Sequence, residues 1–287
     1  MDNYYNNPYI IVILLITVKS KALQGPENQK IFAENQNKSI KMEAEKERKI
    51  SAGSYDLNKF LYGGYEKDII TTIYGSAGSG KTNFCLLGAV SQAKKGNKVI
   101  YIDTEGGFSV DRVKQLAGED YQKVLENIIL LKPVSFDEQE QAFSKLLKEI
   151  KSSSISLIIV DGITMLYRLE SAEARTEKDF NKVSEINSKL ARQLRVLAEV
   201  ARTRNIPVII TNQVYSEFLS EEEFKAGKER EIHMVGGDLL KYWSKCLLEL
   251  KNDRGKRTLI LRKHRSLPEK TLDFEIINSG IRKRGWI

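Results

Sequence analysis

The amino-acid sequence predicts an α/β fold in which a mainly parallel, twisted sheet carries helices on both faces. Apolar, β-branched runs of strand length alternate with amphipathic stretches of helical spacing from about residue 50 onward, a pattern typical of parallel sheets. A glycine-rich loop joins one of these runs to a helix. Three further apolar runs near the C-terminus are separated by short turns, which indicates antiparallel strands at one edge of the sheet.

The elements follow in order from this spacing. We expect strands of the parallel sheet at residues 69–74, 98–103, 127–131, 156–161 and 207–211, and C-terminal edge strands at 246–251, 257–264 and 271–277. We expect helices at residues 83–95 and 138–151, one long helix or two within 172–204, and a helix that begins at Gly236-Gly237. No internal repeat interrupts this alternation.

The glycine-rich loop has the spacing G-x-x-x-x-G-K-[ST], and its strand before and helix after are both of the expected kind. In such a loop the backbone N–H groups surround phosphates, the lysine reaches the terminal phosphates, and the last hydroxyl holds Mg²⁺. The N-terminus of the following helix adds a positive field. The residues expected to bind the nucleotide are Gly75, Ser76, Ala77, Gly78, Ser79, Gly80, Lys81 and Thr82.

Polar side chains at the ends of three other strands narrow the chemistry. Because parallel strands end at one edge of a sheet, Glu105, Asp161 and Gln213 should converge on the glycine-rich loop. Asp161 would orient Mg²⁺, and Glu105 would position and deprotonate a water molecule for attack on the terminal phosphate. Gln213, a neutral amide, would sense that phosphate. Each of these residues could instead fill a structural role in a turn or a buried hydrogen bond.

The 287 residues are 41% hydrophobic, and the net charge is +8. Ten basic and four acidic residues lie between Asp253 and the C-terminus. A basic patch favours a polyanion partner, although a solvated basic face explains the charge alone equally well. Cys85 and Cys246 lie outside any metal-binding spacing, which predicts reduced thiols, a cytoplasmic location and no metal other than Mg²⁺ with the nucleotide.

Residues 1–49 differ from the rest of the chain. The apolar run Tyr9–Val18 is shorter than the roughly 20 residues that span a bilayer, so we expect no membrane segment. Residues 19–50 are polar and typical of disorder. We therefore expect residues 1–49 to be an extension, of which residues 1–41 could reflect an over-called start, and residues 50–287 to form the folded core. A membrane anchor is the alternative for the apolar run.

Several segments in a fixed order resemble the RecA/RadA recombinase family. They are the approach to the glycine-rich loop at residues 50–83, YIDTEGGF at 101–108, LIIVDGITMLYRLE at 157–170, VIITNQVY at 208–215, GGDLLKYWSKCLLEL at 236–250 and LRKHRSLPEK at 261–270. The resemblance spans residues 50–277. It implies a RecA-like P-loop ATPase core, ATP with Mg²⁺ as cofactors, DNA as partner, and a role in homologous recombination and repair.

The resemblance also assigns residue roles. Lys81 and Thr82 would hold phosphates and Mg²⁺, Asp161 would be the Walker B aspartate, Glu105 the general base and Gln213 the sensor. Arg112 falls where the family places an arginine against the adenine. The second DNA loop of the family, here residues 214–235, is rich in acids, and acids weaken phosphate binding. The expected DNA contacts are therefore Lys263, His264 and Arg265, with Arg168 and Arg175 as weaker candidates.

Departures from the family limit the expected activity. The chain shows no N-terminal helical DNA-binding domain and no clear cap over a neighbour's nucleotide. We therefore expect an accessory protein that binds ATP and DNA, hydrolyses ATP slowly and assists the main recombinase, RadA. An active strand-exchange recombinase and a KaiC-like signalling ATPase without DNA are the alternatives. Oligomerisation is left open.

Overall fold

The computed structural model describes residues 48–216 and 232–285. The described residues after Arg48 belong to one compact unit. The expected extension, residues 1–49, lies almost entirely outside the described residues, and so does most of the acid-rich loop; both expectations stay predictions. Among the described helices, none is long and apolar enough to cross a membrane.

The described elements alternate as the sequence predicts. The strands are β1 (Lys49–Ile50), β2 (Tyr65–Glu66), β3 (Ile70–Gly75), β4 (Lys98–Asp103), β5 (Ile128–Leu131), β6 (Ile155–Asp161), β7 (Val208–Ser216), β8 (Ile232–Met234), β9 (Ser244–Asp253), β10 (Lys256–His264), β11 (Lys270–Ile277) and β12 (Gly280–Lys283). The helices are α1 (Tyr55–Phe60), α2 (Lys81–Ala93), α3 (Val110–Ala117), α4 (Tyr121–Glu126), α5 (Phe136–Ser152), α6 (Met165–Thr176), α7 (Phe180–Arg204) and α8 (Gly237–Trp243).

The described strands form a ten-stranded sheet of order β12-β11-β10-β9-β3-β7-β6-β4-β5, with β8 paired to β7, and a separate pair, β1 and β2. The strands from β9 to β5 in this order run parallel, and β9 to β12 are antiparallel to one another. The predicted fold class is therefore confirmed. We call the edge at which the parallel strands end the carboxyl edge, and the opposite one the amino edge.

Each face of the sheet buries its own apolar core. One core contains side chains of α1, α2, α3 and α4 together with one face of β9–β12. The other contains side chains of α5, α6, α7 and α8. Strands in the middle of the sheet are apolar on both faces because both faces are covered, and Ile158 and Ile159, adjacent in β6, are each fully buried.

The last described strand closes onto the first described helix. The Ser54 hydroxyl, which also caps α1, donates to the carbonyl of Ile281 at 2.7 Å across 227 residues of chain. The backbone N–H of Lys283 donates to Asp56 at 2.7 Å, also across 227 residues. These bonds fasten β12, at one end of the sheet, to the start of the described chain.

Several elements differ from the prediction. The strand expected at residues 207–211, with Gln213 at its end, continues to Ser216, so Gln213 lies within β7 rather than at its end. The long helical region consists of two helices, because Lys178 adopts a left-handed conformation with φ 58° and Asp179 caps α7 by accepting from the Lys182 N–H. Strands β1, β2 and β12 were not predicted, since two to four residues are too few to show a hydrophobic period.

Candidate functional site

The glycine-rich loop connects β3 to α2 in a conformation that requires its glycines. Gly80, at the N-cap of α2, has φ 112°, a left-handed value that residues with a Cβ rarely adopt. A Cβ on Gly75 would lie 2.3 Å from the carbonyl oxygen of Leu250 on β9. Residues 76–78 of the loop are exposed, and the 13-residue helix α2 begins directly after the loop.

Lys81 is the cationic group of this loop. Its Nζ donates to the carbonyl oxygens of Gly75 and Ser76, both at 3.0 Å, and the residue is only 6% exposed. Burial lowers the pKa of Lys81, while Glu105 and Asp161 act in the opposite direction. The buried Ser79 hydroxyl has no hydrogen-bond partner within the described residues. These donors are arranged as an anion-binding loop requires.

Asp161 ends β6 and lies beside the loop. Its Oδ2 accepts from the Tyr101 hydroxyl at 2.8 Å, and its Oδ1 accepts from the Thr211 hydroxyl at 2.6 Å. Burial raises the pKa of Asp161, and hydrogen bonds from Thr211, Tyr101 and Thr82 offset part of the rise. The hydrogen bond from Thr82 places the two residues predicted to hold Mg²⁺ next to each other. A hydroxyl and a carboxylate oxygen are ligand types that Mg²⁺ accepts.

Glu105 and Gln213 form a second pair at this edge. The Gln213 side chain hydrogen-bonds to Glu105, and burial nevertheless raises the pKa of Glu105 above its usual range. Its Oε1 is buried without a hydrogen-bond partner among the described residues. A carboxylate with one oxygen held by an amide and the other unpaired has the lone pair that a general base needs. The structure thus brings together all five residues predicted for the phosphate chemistry: Lys81, Thr82, Glu105, Asp161 and Gln213.

Residues that the sequence reasoning did not single out support this arrangement. Asp103, at the end of β4, accepts from the backbone N–H groups of Gly107 and Phe108, both at 3.0 Å, and so shapes the loop that carries Glu105. Thr211 accepts from the Gly162 N–H at 2.7 Å while it donates to Asp161. The signal for Asp103 was its position at a strand end; Thr211 offered none.

Gly162 directly follows Asp161 and packs against the Glu105 loop. Its φ is 90°, and a Cβ there would lie 2.5 Å from the Thr104 hydroxyl and 2.6 Å from Cγ of Glu105. Gly106 in the same loop has a similar φ of 70° with nothing within 4 Å. We expect Gly162→Ala to destabilise the protein by about 1–3 kcal/mol more than Gly106→Ala, because only the former adds overpacking to backbone strain.

Denaturant unfolding of the two variants checks this expectation. Gly106→Ala is the matched control, since it carries the cost of a left-handed alanine without the clash. Equal reductions of unfolding free energy in the two variants would show that the approach of Gly162 to Glu105 is not tight in solution.

The Arg112 guanidinium is hydrogen-bonded to other residues of the protein. Its guanidinium donates to the carbonyl oxygens of Ile277 at 2.9 Å and Asn278 at 3.0 Å, and to the Asn83 side chain at 2.8 Å. Burial lowers its pKa. Arg112 therefore ties the turn between β11 and β12 to α2, close to the loop. Its contact with an adenine stays a prediction.

The first-ranked DNA candidates lie at the amino edge, opposite the carboxyl edge that carries the glycine-rich loop. They are Lys263, His264 and Arg265. His264 pairs in register with Cys246 near the start of β9. The Arg265 guanidinium donates to Glu66 at 2.8 Å and to Asp68 at 2.8 Å. The His264 side chain is 3% exposed and lies 3.6 Å from Glu66, and burial lowers its pKa. His264 and Arg265 are thus occupied by protein carboxylates, which does not support them as leading DNA contacts.

Other basic residues of the C-terminal strands are paired as well. Arg262 donates to Glu249 at 2.6 Å and contacts Glu269, and Arg282 donates to Glu275 at 2.6 Å. The excess charge that the sequence places after Asp253 is therefore partly neutralised within the sheet.

Arg168 and Arg175 lie on α6 at the carboxyl edge. They line a groove of about 460 Å³ together with Tyr167, Tyr215 and Gly236. Both arginines are exposed, and within residues 48–216 and 232–285 neither guanidinium pairs with a carboxylate. Arg168 and Arg175, the weaker candidates by sequence, are therefore less occupied by protein carboxylates than Arg265 is. Which of the candidates contact DNA stays a prediction.

The groove is connected to the nucleotide edge through β7. Side chains alternate along a strand, so Thr211 and Gln213 face Asp161 and Glu105 while Asn212 faces the other side. The buried Asn212 amide accepts from the Thr164 hydroxyl, at the start of α6, and donates to the Val235 carbonyl at 2.8 Å. Asn212 of β7, the strand that carries Gln213, is thus bonded to the N-cap of α6 and to Val235, which lines the groove.

The fold and this edge together define a RecA-like nucleotide-binding protein. The Rad51 family profile matches residues 44–284, and the chain belongs to the Rad51 family. This membership confirms the resemblance found in the sequence and implies nucleotide binding.

Sequence identity to individual proteins shows which members of the Rad51 family this chain resembles. The chain is 43% identical over 225 residues to the DNA repair and recombination protein RadB of Methanocaldococcus jannaschii, covering 78% of this chain and 98% of that protein. It is 42% identical over 231 residues to RadB of Methanosphaera stadtmanae, covering 78% and 92%. It is 40% identical over 232 residues to RadB of Methanococcoides burtonii, covering 79% and 94%. Within the Rad51 family, the chain groups with the RadB proteins.

Proposed function

We propose that this protein is an ATP- and DNA-binding accessory protein of homologous recombination and DNA repair, and that it assists the main recombinase RadA. The relatives are themselves described as DNA repair and recombination proteins. The observation that carries the proposal is the convergence of Lys81, Thr82, Asp161, Glu105 and Gln213 at one sheet edge, with an arginine-lined groove bonded to the same strand.

ATP with Mg²⁺ fits the residues present. The loop offers a buried lysine, a helix N-terminus and a buried hydroxyl on Ser79 that has no partner among the described residues, which suit phosphate oxygens. Thr82 and Asp161 offer hydroxyl and carboxylate oxygens to Mg²⁺, and the raised pKa of Asp161 is that of a buried carboxylate that a nearby cation would stabilise. When bound, Mg²⁺ would neutralise phosphate charge.

Hydrolysis would depend on Glu105. Its Oε1, which has no hydrogen-bond partner among the described residues, can accept a proton from water, and the hydrogen bond from Gln213 holds the carboxyl group in place. Arg112, which the family resemblance places against the adenine, is held at the β11–β12 turn by hydrogen bonds to the Ile277 and Asn278 carbonyls. Because the sequence shows no clear cap over a neighbour's nucleotide, we propose slow turnover that regulates binding to DNA rather than driving strand exchange.

We propose that the groove at the carboxyl edge, the same edge that carries the glycine-rich loop, binds DNA. Arg168 and Arg175 have no carboxylate partner among the described residues, and the exposed ring of Tyr215 lines the same groove. Arginine and aromatic side chains together suit a single-stranded nucleic acid, whose phosphates and bases are both accessible.

We expect the double variant Arg168→Gln, Arg175→Gln to bind single-stranded DNA more weakly, because it removes two phosphate contacts. The slope of log K against log[salt] should flatten by about 0.7 for each phosphate contact that is removed, measured by fluorescence anisotropy with a labelled oligonucleotide. The double variant Arg282→Gln, Lys283→Gln removes the same charge elsewhere and is the control.

Three outcomes would contradict parts of this proposal. An unchanged slope in the groove variant would exclude Arg168 and Arg175 as contacts. A parent protein that binds ATP but no DNA at low salt would favour a signalling ATPase. A parent protein that catalyses strand exchange without RadA would favour an active recombinase over an accessory protein.

A further inference from the structure

We propose that the protein has a second nucleic-acid contact surface at the amino edge, formed by Arg202, Lys245 and Lys263 around the exposed ring of Tyr242. We call it the amino-edge patch. It rests on the proposed function, since it extends DNA binding from the groove to the opposite edge of the sheet. The ligand would be a single strand that contacts the patch through its phosphates and stacks a base on Tyr242.

The two lysines of the patch have no acidic partner in the described part of the chain. The Lys263 ammonium donates to the backbone carbonyl of Lys241 at 2.7 Å, and that of Lys245 to the carbonyl of Tyr242 at 3.3 Å. Burial, and then the charge of Lys245, lower the pKa of Lys263. The two ammonium groups are thus near enough to repel each other, an arrangement that an anion between them would relieve.

Acidic residues near the patch are paired with other basic residues. Glu66 and Asp68 accept from Arg265, and Asp238 lies 4.0 Å from Lys241. Glu199 precedes Arg202 on α7, and within the described residues no ion pair joins them. Arg202, Lys245 and Lys263 therefore have no carboxylate partner in the part of the chain that the structure describes. A cleft of about 150 Å³ is lined by Arg202 and Lys245 together with Trp243 and Arg265.

Tyr242 supplies an aromatic surface beside these cations. The residue is 70% exposed, and its ring packs edge-on against Trp243 with ring centroids 5.4 Å apart. The Lys245 ammonium lies 5.8 Å from the ring centroid. A ring that is held by a half-buried tryptophan and flanked by a cation is suited to stack on a base, because stacking and phosphate contact then act together.

The patch and the groove lie at the two ends of one helix. Helix α8 begins beside Gly236, which lines the groove, and Tyr242 lies near its other end. Its seven residues span about 10 Å at 1.5 Å per residue. A single strand that enters the groove can therefore continue along α8 to the patch, which favours a nucleic acid over a compact anion as the occupant.

The test compares three variants with the parent protein, using a labelled oligo-dT and fluorescence anisotropy across a salt series. Arg202→Gln with Lys245→Gln should flatten the slope of log K against log[salt] by about 1.4, at 0.7 for each of two phosphate contacts. Tyr242→Ala should weaken oligo-dT binding about fivefold or more with the slope kept, since it removes a stacking surface but no charge. Lys94→Gln with Lys95→Gln, two exposed lysines on the other face of the sheet, should leave the slope unchanged.

The outcomes separate this inference from the proposed function. If the parent binds and the groove variant is weakened while the patch variants bind like the parent, the patch is excluded and the groove stands. If the slope of the lysine control flattens as much as that of the patch variant, net charge explains the effect and the patch is excluded. If the parent does not bind, both proposals fail. If the patch variants no longer self-associate in sedimentation but keep DNA affinity, the surface is an interface between copies and the inference is overturned.

Discussion

Replacing Lys81 with alanine is expected to weaken ATP binding by at least tenfold. No other single lysine-to-alanine substitution in the chain is expected to reduce nucleotide affinity as much. The side chain supplies the one ammonium group among the loop residues 75–82, and a hydrogen bond to a charged group contributes about 1.5–3 kcal/mol. The ammonium lies within 3.0 Å of two loop carbonyls, so it is held at the site before ligand arrives. Titration with a fluorescent ATP analogue measures the change.

Lys95→Ala is the matched control, since Lys95 is exposed just beyond the other end of the same helix. Circular dichroism and thermal unfolding of both variants show whether the folded state is kept, because alanine at residue 81 leaves two carbonyls with fewer donors. An Lys81→Ala protein that is folded and binds the analogue as tightly as the parent would refute the phosphate role of the loop.

Glu105→Gln is expected to lower ATP turnover by about 10²-fold or more while ATP affinity stays near that of the parent. General-base catalysis contributes about 10²–10⁴-fold, and glutamine keeps the shape and the hydrogen bond to Gln213 while losing the basicity. Burial raises the pKa of Glu105, so turnover in the parent should fall as the pH drops through a value above the usual glutamate range. Steady-state phosphate release across pH measures both effects.

Glu119→Gln, at an exposed glutamate away from the nucleotide edge, serves as the control for removal of a negative charge. Asp161 also has a raised pKa, and Asp161→Asn separates the two groups because it should change the Mg²⁺ requirement as well. Unchanged turnover in Glu105→Gln would move the general base to Asp161.

The nucleotide edge was predictable because each of its residues stands in a local pattern. Lys81 and Thr82 follow a strand and open a helix, and Asp161 ends an apolar run of strand length. Parallel strands then bring these local features to one edge without further information. The end of β7 was misplaced because the apolar run stops at Thr211 and Asn212 is typical of turns. Here Asn212 and Gln213 continue the strand and are held by hydrogen bonds to Glu105, Thr164 and Val235.

The availability of charged side chains was not predictable in the same way. Arg265 is neutralised by Glu66 and Asp68, which lie 199 and 197 residues away in the chain. Arg168 and Arg175 have no carboxylate partner among the described residues because of the way α6 lies against its neighbours, which no local spacing encodes. Charge counts along a segment therefore identified a basic region but could not show which of its charges are paired within the fold.

The bonds that fasten β12 to α1 have a consequence for how this chain is made. Because Ser54 and Asp56 meet residues 281 and 283 only across 227 intervening residues, the contact at this end of the sheet cannot form until almost the whole polypeptide has left the ribosome. Contacts of such long sequence separation slow folding. The nascent chain would therefore present α1 and the neighbouring apolar surface without their final cover until synthesis is nearly complete.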